Sequence, residues 1–168
     1  MNLRSKNKGK DKMNKTILGI LVFFIVIGVV CYVPIYHNVQ LNKFANQLDD
    51  IDFPEDVEIV DRVKICGKLA GNGNALDYFA CVLVQTSEEQ AVLERLLNES
   101  DIVQAGNSDK VCRYREVVPV HAASLESRFI EHETVEFEAL EKETSFLGYY
   151  ALIIYDGGYE PLWDLRGH

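Results

Sequence analysis

Three hydrophobic rhythms follow one another along this chain, and each predicts a different kind of element. Across residues 16–36 there is no charged side chain, and Ile, Leu, Val and Phe dominate. A helix of that length rises about 30 Å at about 1.5 Å per residue, which matches the hydrocarbon core of a bilayer. A helix is also the one single-segment conformation that satisfies its own backbone in lipid. Gly19 and Gly28 are tolerated there, Pro34 falls at the outer end, and Tyr32 and Tyr36 fall where an interfacial aromatic belt is expected. Residues 37–50 change rhythm: Leu41, Phe44, Ala45 and Leu48 recur at helical spacing, with polar residues between them. They predict a juxtamembrane amphipathic helix, ended by Asp49-Asp50 and Phe53-Pro54.

From residue 57 to residue 69 the period drops to two. Val57, Ile59, Val63, Ile65 and Leu69 share one face, interrupted at Asp61, while Glu58, Arg62, Lys64 and Lys68 take the other. Gly71-Asn72-Gly73-Asn74 supplies four residues that tolerate positive φ and predicts a hairpin turn. The next run, residues 78–84, is apolar on both faces and reads as a central, covered strand. Ser87-Glu88-Glu89-Gln90 forms a capping box for a helix through Leu97, with Val92, Leu93, Leu96 and Leu97 facing the core. Residues 98–109 are turn-rich, and residues 111–120 alternate again, with Pro119 marking a strand end or a sheet edge. Residues 125–130 read as a short helix, Val135, Phe137 and Ala139 as a strand in preference to a helix, and residues 149–155 as a buried strand ending at Asp156-Gly157-Gly158. The order predicts an α+β domain over residues 51–168, a mainly antiparallel sheet with helices packed on one face.

Charge adds orientation. Arg4, Lys6, Lys8, Lys10, Lys12 and Lys15 stand against Asp11 before the apolar run, and beyond it Lys43 is the one basic residue before Arg62. The positive-inside rule makes residues 1–15 a cytoplasmic tail and residues 16–36 a single-pass signal anchor in the cell membrane, with the rest extracytoplasmic. A cleavable secretory signal has a shorter apolar region and an A-x-A-like site, and a lipoprotein signal wants a small residue before its cysteine; Val30-Cys31-Tyr32 offers neither. Past residue 15 the chain carries 11 basic and 25 acidic residues, a net of −14. That balance disfavours nucleic acid and anionic lipid heads, and suits a basic protein, a cationic ligand or solubility alone.

Candidate chemistry is sparse. Cys66, Cys81 and Cys112 lie beyond the anchor, so one internal disulfide at most can form; Cys66 and Cys81 flank the predicted hairpin and either face each other across it or pack as small buried thiols. No C-x-x-C, H-E-x-x-H, G-x-S-x-G, P-loop or dinucleotide fingerprint occurs, so no catalytic residue, metal ligand or cofactor is expected. Glu131-His132-Glu133 places neighbours on opposite sides of any regular element. The acidic stretch 126–143 reads as a solvated face before a docking surface. Two places remain for ligand or partner contact. One is the exposed tip Gly71, Asn72, Gly73 and Asn74; the other is the aromatic ending around Tyr159 and Trp163, residue types that favour interfaces.

The segment Cys66-Gly67-Lys68-Leu69-Ala70-Gly71-Asn72-Gly73-Asn74 with Tyr78-Phe79 resembles one in small, uncharacterised single-pass membrane proteins of Gram-positive, Firmicute-type bacteria. The resemblance covers residues 41–86 and implies location and fold, with no activity. The expectation is a non-enzymatic extracytoplasmic protein-binding module with a basic envelope partner, an immunity-type protein being one version. The alternatives are an envelope hydrolase or metal-dependent enzyme without a motif, and a structural subunit of an envelope complex.

Overall fold

A computed structural model describes residues 4–71, 73–131, 133–162 and 164–167. A single helix, α1 (Arg4–Asn46), carries both the apolar run and the amphipathic segment without a break, Pro34 included. Its stretch Ile17–Asn46 is long and apolar enough to cross a membrane. Turns over residues 47–50 end it. Two long strands, β1 (Glu58–Gly67) and β2 (Leu76–Gln85), form the predicted hairpin. Helix α2 (Gln90–Glu99) follows, then the small hairpin β3 (Val103–Gln104) and β4 (Asn107–Val111), and the edge strand β5 (Tyr114–Pro119). An irregular excursion holds β6 (Ser124–Leu125), β7 (Val135–Glu136) and a 3₁₀ turn, Glu138–Leu140, before β8 (Tyr149–Tyr159) and a last 3₁₀ turn, Leu165–Gly167.

The main sheet runs β1-β2-β8-β5 and every pairing in it is antiparallel, so the chain is α+β as expected. Alternation along β2 separates two cores. Tyr78, Ala80, Val82 and Val84 meet Leu41, Phe44 and Leu48 of α1 and Leu93 and Leu97 of α2. Phe79, Cys81 and Leu83 meet Phe129, Ile130, Val135, Phe137 and Leu140 from the excursion. Both helices therefore cover one face, and irregular chain covers the other. Each fully buried Phe or Leu contributes about 1.5–3 kcal/mol by leaving water, which is why the helical spacing of Leu41, Phe44 and Leu48 was legible.

Several expectations need correction. The five apolar residues read onto one face of β1 divide between the two cores, because the β1–β2 register shifts between Ile59 and Asp61. Val57 and Ile59 pack with the helices, whereas Val63, Ile65 and Leu69 pack with the excursion. A bulge adds one residue, and one residue reverses every side chain beyond it. Cys66 and Cys81 do not face each other. Cys66 is opposite Tyr78 and Cys81 opposite Val63, in different cores, and both thiols are free, as is that of Cys112. The capping box is not made: α2 begins at Gln90 with Glu89 at its N-cap and no side-chain cap bond. Ser87 Oγ donates instead to Asp56 Oδ2 at 3.0 Å. Residues 125–130 form no helix; they end β6 and turn, while Val135 and Ala139 fall in a short strand and a 3₁₀ turn. The alternating run 111–120 begins as the last residue of β4 and resumes as β5, with Pro119 closing an edge strand. Strand β8 passes through Asp156-Gly157-Gly158 and reaches Tyr159.

Burial pushes the Cys66 thiol up to about 11 and raises those of Cys81 and Cys112 as well. Only a thiolate attacks readily. At about pH 8, below all three values, a maleimide is expected to leave Cys66, Cys81 and Cys112 of the native full-length protein unmodified and to label them after denaturation. Rapid native labelling of any of them, read by mass spectrometry, would contradict this packing.

Candidate functional site

The sheet has two ends with different chemistry. Helix α1 enters at the near end, beside the β1–β2 turn. There His37 is buried, 5% exposed, and its Nδ1 shares a hydrogen bond with the Tyr78 hydroxyl. Burial raises the Tyr78 phenol far above its ordinary value, so it keeps its proton. Tyr78 stacks edge-on against Tyr159, whose hydroxyl donates to Asp156 Oδ2 and accepts from Gly106 N–H at 3.0 Å. Asp156 Oδ2 also accepts from Ala105 N–H at 2.8 Å. Asp77, at the irregular β2–β8 register, accepts from the N–H groups of Leu69, Ala70 and Gly158. Residues 161–162 and 164–167 close this end. Arg166 pairs with buried Asp164 at 2.6 Å and donates to Asn38 Oδ1 at 2.7 Å, with a longer contact to the Pro34 carbonyl. The hydrogen bonds from Arg166 hold the Asp164 carboxyl below its ordinary range, so the pair is ionised at neutral pH.

Of the residues singled out from sequence, Gly71, Gly73 and Asn74 form the exposed turn at this near end, and Gly71 has the positive φ, 77°, that a glycine supplies without strain. Tyr159 lies beside that turn through its pairing with Leu76, half-buried and with its hydroxyl engaged. The structure brings these positions together. Asn72 and Trp163 lie outside the described residues.

The far end of the sheet presents a different surface. From Tyr78 to Gln85 the strand climbs about 24 Å at about 3.4 Å per residue. There a cleft of about 660 Å³ is lined by residues of three separate segments, among them Asp56, Glu58, Thr86, Glu88, Leu147 and Tyr150. Asp56 Oδ2 accepts from the hydroxyls of Thr86 and Ser87, both at 3.0 Å, and the Thr86 bond comes first among the causes that lower its carboxyl below the ordinary value. Thr86 Oγ1 in turn accepts from Glu88 N–H at 3.0 Å. Two serine and threonine hydroxyls thus hold one carboxylate in a fixed direction. Leu147 stands beside it, 89% exposed. Gly148 behind it has φ +81°, and a Cβ there would lie 2.6 Å from the Thr86 carbonyl oxygen, so this corner requires glycine. On the other side of Leu147 a second hollow, about 340 Å³, is lined by Pro119, His121 and Phe146. A larger depression, about 1060 Å³, lies over the acidic excursion. Its lining, Glu126 to Arg128 with Ile130, Glu131, Glu133 and Thr134, comes from one stretch, and among these described residues no exposed apolar group stands, so it is the weaker candidate.

Compared with protein-family models, curated proteins and solved structures, the chain matches none of them. Sequence reading missed the far cleft because the residues that form it stand up to 94 positions apart, from Asp56 to Tyr150. The one local signal was Ser87-Glu88-Glu89-Gln90, which read as a helix cap.

Proposed function

We propose that this protein is a single-pass, membrane-tethered extracytoplasmic binding module whose far cleft captures a basic protein segment. The orientation is supported by the basic residues before the apolar run, and the tether by the length and apolarity of α1. The observation that carries the partner class is the far cleft itself. An apolar knob, Leu147, stands next to the oriented Asp56 carboxylate and two further acids, Glu58 and Glu88, at the end of the sheet opposite the anchor. An apolar contact surrounded by charge is the ordinary anatomy of a protein interface, and a net charge of −14 beyond residue 15 steers a basic partner toward it.

The test is photo-cross-linking in cells from a reactive amino acid placed at Leu147 in the full-length protein. Capture of one reproducible basic protein is expected, with several-fold less capture when Asp56 and Glu88 are both changed to Lys. Capture that is indifferent to this charge reversal, or none at all, would sink the reading.

A further inference from the structure

We infer that residues 161–162 and 164–167 form a second membrane contact, a hook that lies in the interfacial layer beside the anchor and fixes the domain upright on the bilayer. The inference rests on the anchor reading proposed above. Its starting point is a mismatch of levels. The apolar run extends to Tyr36, yet the folded domain reaches below that: Val33 is buried, and Arg166 contacts the Pro34 carbonyl while bonding Asn38. Whatever flanks the helix at Pro34 is at the depth where an aromatic belt meets lipid headgroups.

The chemistry of the hook suits that layer. Leu165 is 84% exposed and Leu162 60% exposed, although neighbouring Pro161, Asp164 and Gly167 are buried. Leu162 has φ 51°, a left-handed conformation that a leucine adopts only at a cost. The two leucines are thus held outward by a segment that is otherwise tightly docked, since Lys68 N–H donates to the Arg166 carbonyl oxygen at 2.7 Å. Charge agrees. Lys68 and Arg166 are exposed at this end, and Glu160 is the one exposed acid among the described residues of 67–77 and 156–167. The acidity that argues against anionic lipid for the whole domain is thinner in these two segments, with exposed Glu131, whose N–H donates to the Leu69 carbonyl, standing beside them. Arg166 has a role of its own as a positioning residue, latching the hook to the anchor helix while its guanidinium lies at headgroup level.

Depth-dependent quenching tests this. Cys31 is replaced by Ser, and a fluorescent nitrobenzoxadiazole label is placed on Leu165→Cys, on Val26→Cys in the anchor, or on Leu147→Cys at the far end. Each full-length protein is reconstituted into phosphatidylcholine vesicles, with and without phosphatidylglycerol, that contain lipid spin-labelled near the headgroup end of its chains or deeper. All three labelled side chains are well exposed, so the fold tolerates the probes. The inference expects loss of most emission at Leu165 with the shallow quencher, none at Leu147, and quenching of Val26 by the deep one. Adding Arg166→Gln should reduce quenching at Leu165 and leave Val26 unchanged. Quenching at Val26 without quenching at Leu165 overturns the hook while the anchor stands; quenching at neither site overturns both. Shielding of the Leu165→Cys label from lipid, together with disulfide formation between two copies of the unlabelled Leu165→Cys protein under oxidation, would show that a second copy covers the leucines and would likewise overturn it.

Discussion

Replacing Arg115 by Met is expected to lower the unfolding free energy of the full-length protein by about 3–5 kcal/mol, a large share of the 5–15 kcal/mol typical of a domain. Ser100 caps the Leu96 carbonyl of helix α2 with its N–H and hydroxyl, but the last turn holds no basic residue to answer the Leu97 and Asn98 carbonyls or the negative end of the dipole. Arg115, on edge strand β5, supplies both. Its guanidinium donates to the carbonyls of Leu97, Asn98, Ser100 and Ile102 at 2.8–3.2 Å, and its Nε donates to Cys112 at 2.9 Å. A hydrogen bond from a charged donor contributes about 1.5–3 kcal/mol, and these are not additive because one group makes them all. Met keeps the apolar stem and removes every donor. Arg115→Lys should recover less than half of the loss, since an ammonium has three donors radiating from one point and cannot span five carbonyls. Urea unfolding in detergent, followed by far-ultraviolet circular dichroism, gives the number. A loss below about 1 kcal/mol for Met would mean that water replaces Arg115 at little cost.

Arg115 also shows where sequence reading stopped. In the sequence it is one polar residue in an alternating run, and its five acceptors are backbone atoms spread over residues 97–112, which no side-chain pattern reveals. Elements whose signal is local were legible. The Leu41, Phe44 and Leu48 stripe, the glycine-rich turn after β1 and the doubly covered strand β2 each depend on nearby spacing, and each formed. Elements decided by distant partners were not. Ser87 reads as a cap but bonds Asp56, 31 residues earlier. Leu125, Phe129 and Ile130 are spaced like a helix because all three side chains work near one core, yet the backbone between them turns without one. Gly157-Gly158 reads as a stop, and β8 runs through it because Asp77 and Leu76 hold the other side. The near-end turn named from sequence does exist as an exposed surface. The far cleft, assembled from three segments, could be seen only once the sheet had brought them together.

Asp77→Ala is expected to cost about 3–4 kcal/mol, and to do so locally, at the end of the sheet where helix α1 enters. Asp77 is buried, 2% exposed, at the irregular β2–β8 register. One of its oxygens accepts from Leu69 and Ala70 N–H at 3.1 and 3.2 Å, and the other from Gly158 N–H at 3.0 Å. Burial, and after it the nearby Asp77 carboxyl, raise the Tyr155 phenol, so that hydroxyl keeps its proton. A Cβ on Gly157 would come within 2.3 Å of the same carboxyl, so the backbone has closed around it. Alanine leaves these donors facing an apolar methyl. Each buried orphan costs about 1–3 kcal/mol, less where water reaches it, and Ala70 and Gly158 are the ones that water can reach. Asp77→Asn keeps one carbonyl oxygen and should cost about 1–2 kcal/mol. The decisive readout is hydrogen exchange on the full-length protein under native conditions. Leu69, Ala70 and Gly158 should exchange much faster in the alanine variant, while Val82 and Leu152 at the middle of the sheet keep their protection until global unfolding. Uniform acceleration across the sheet would place the loss in the fold as a whole, and unchanged exchange at Leu69 and Gly158 would remove Asp77 as the clasp between the β1–β2 hairpin and β8.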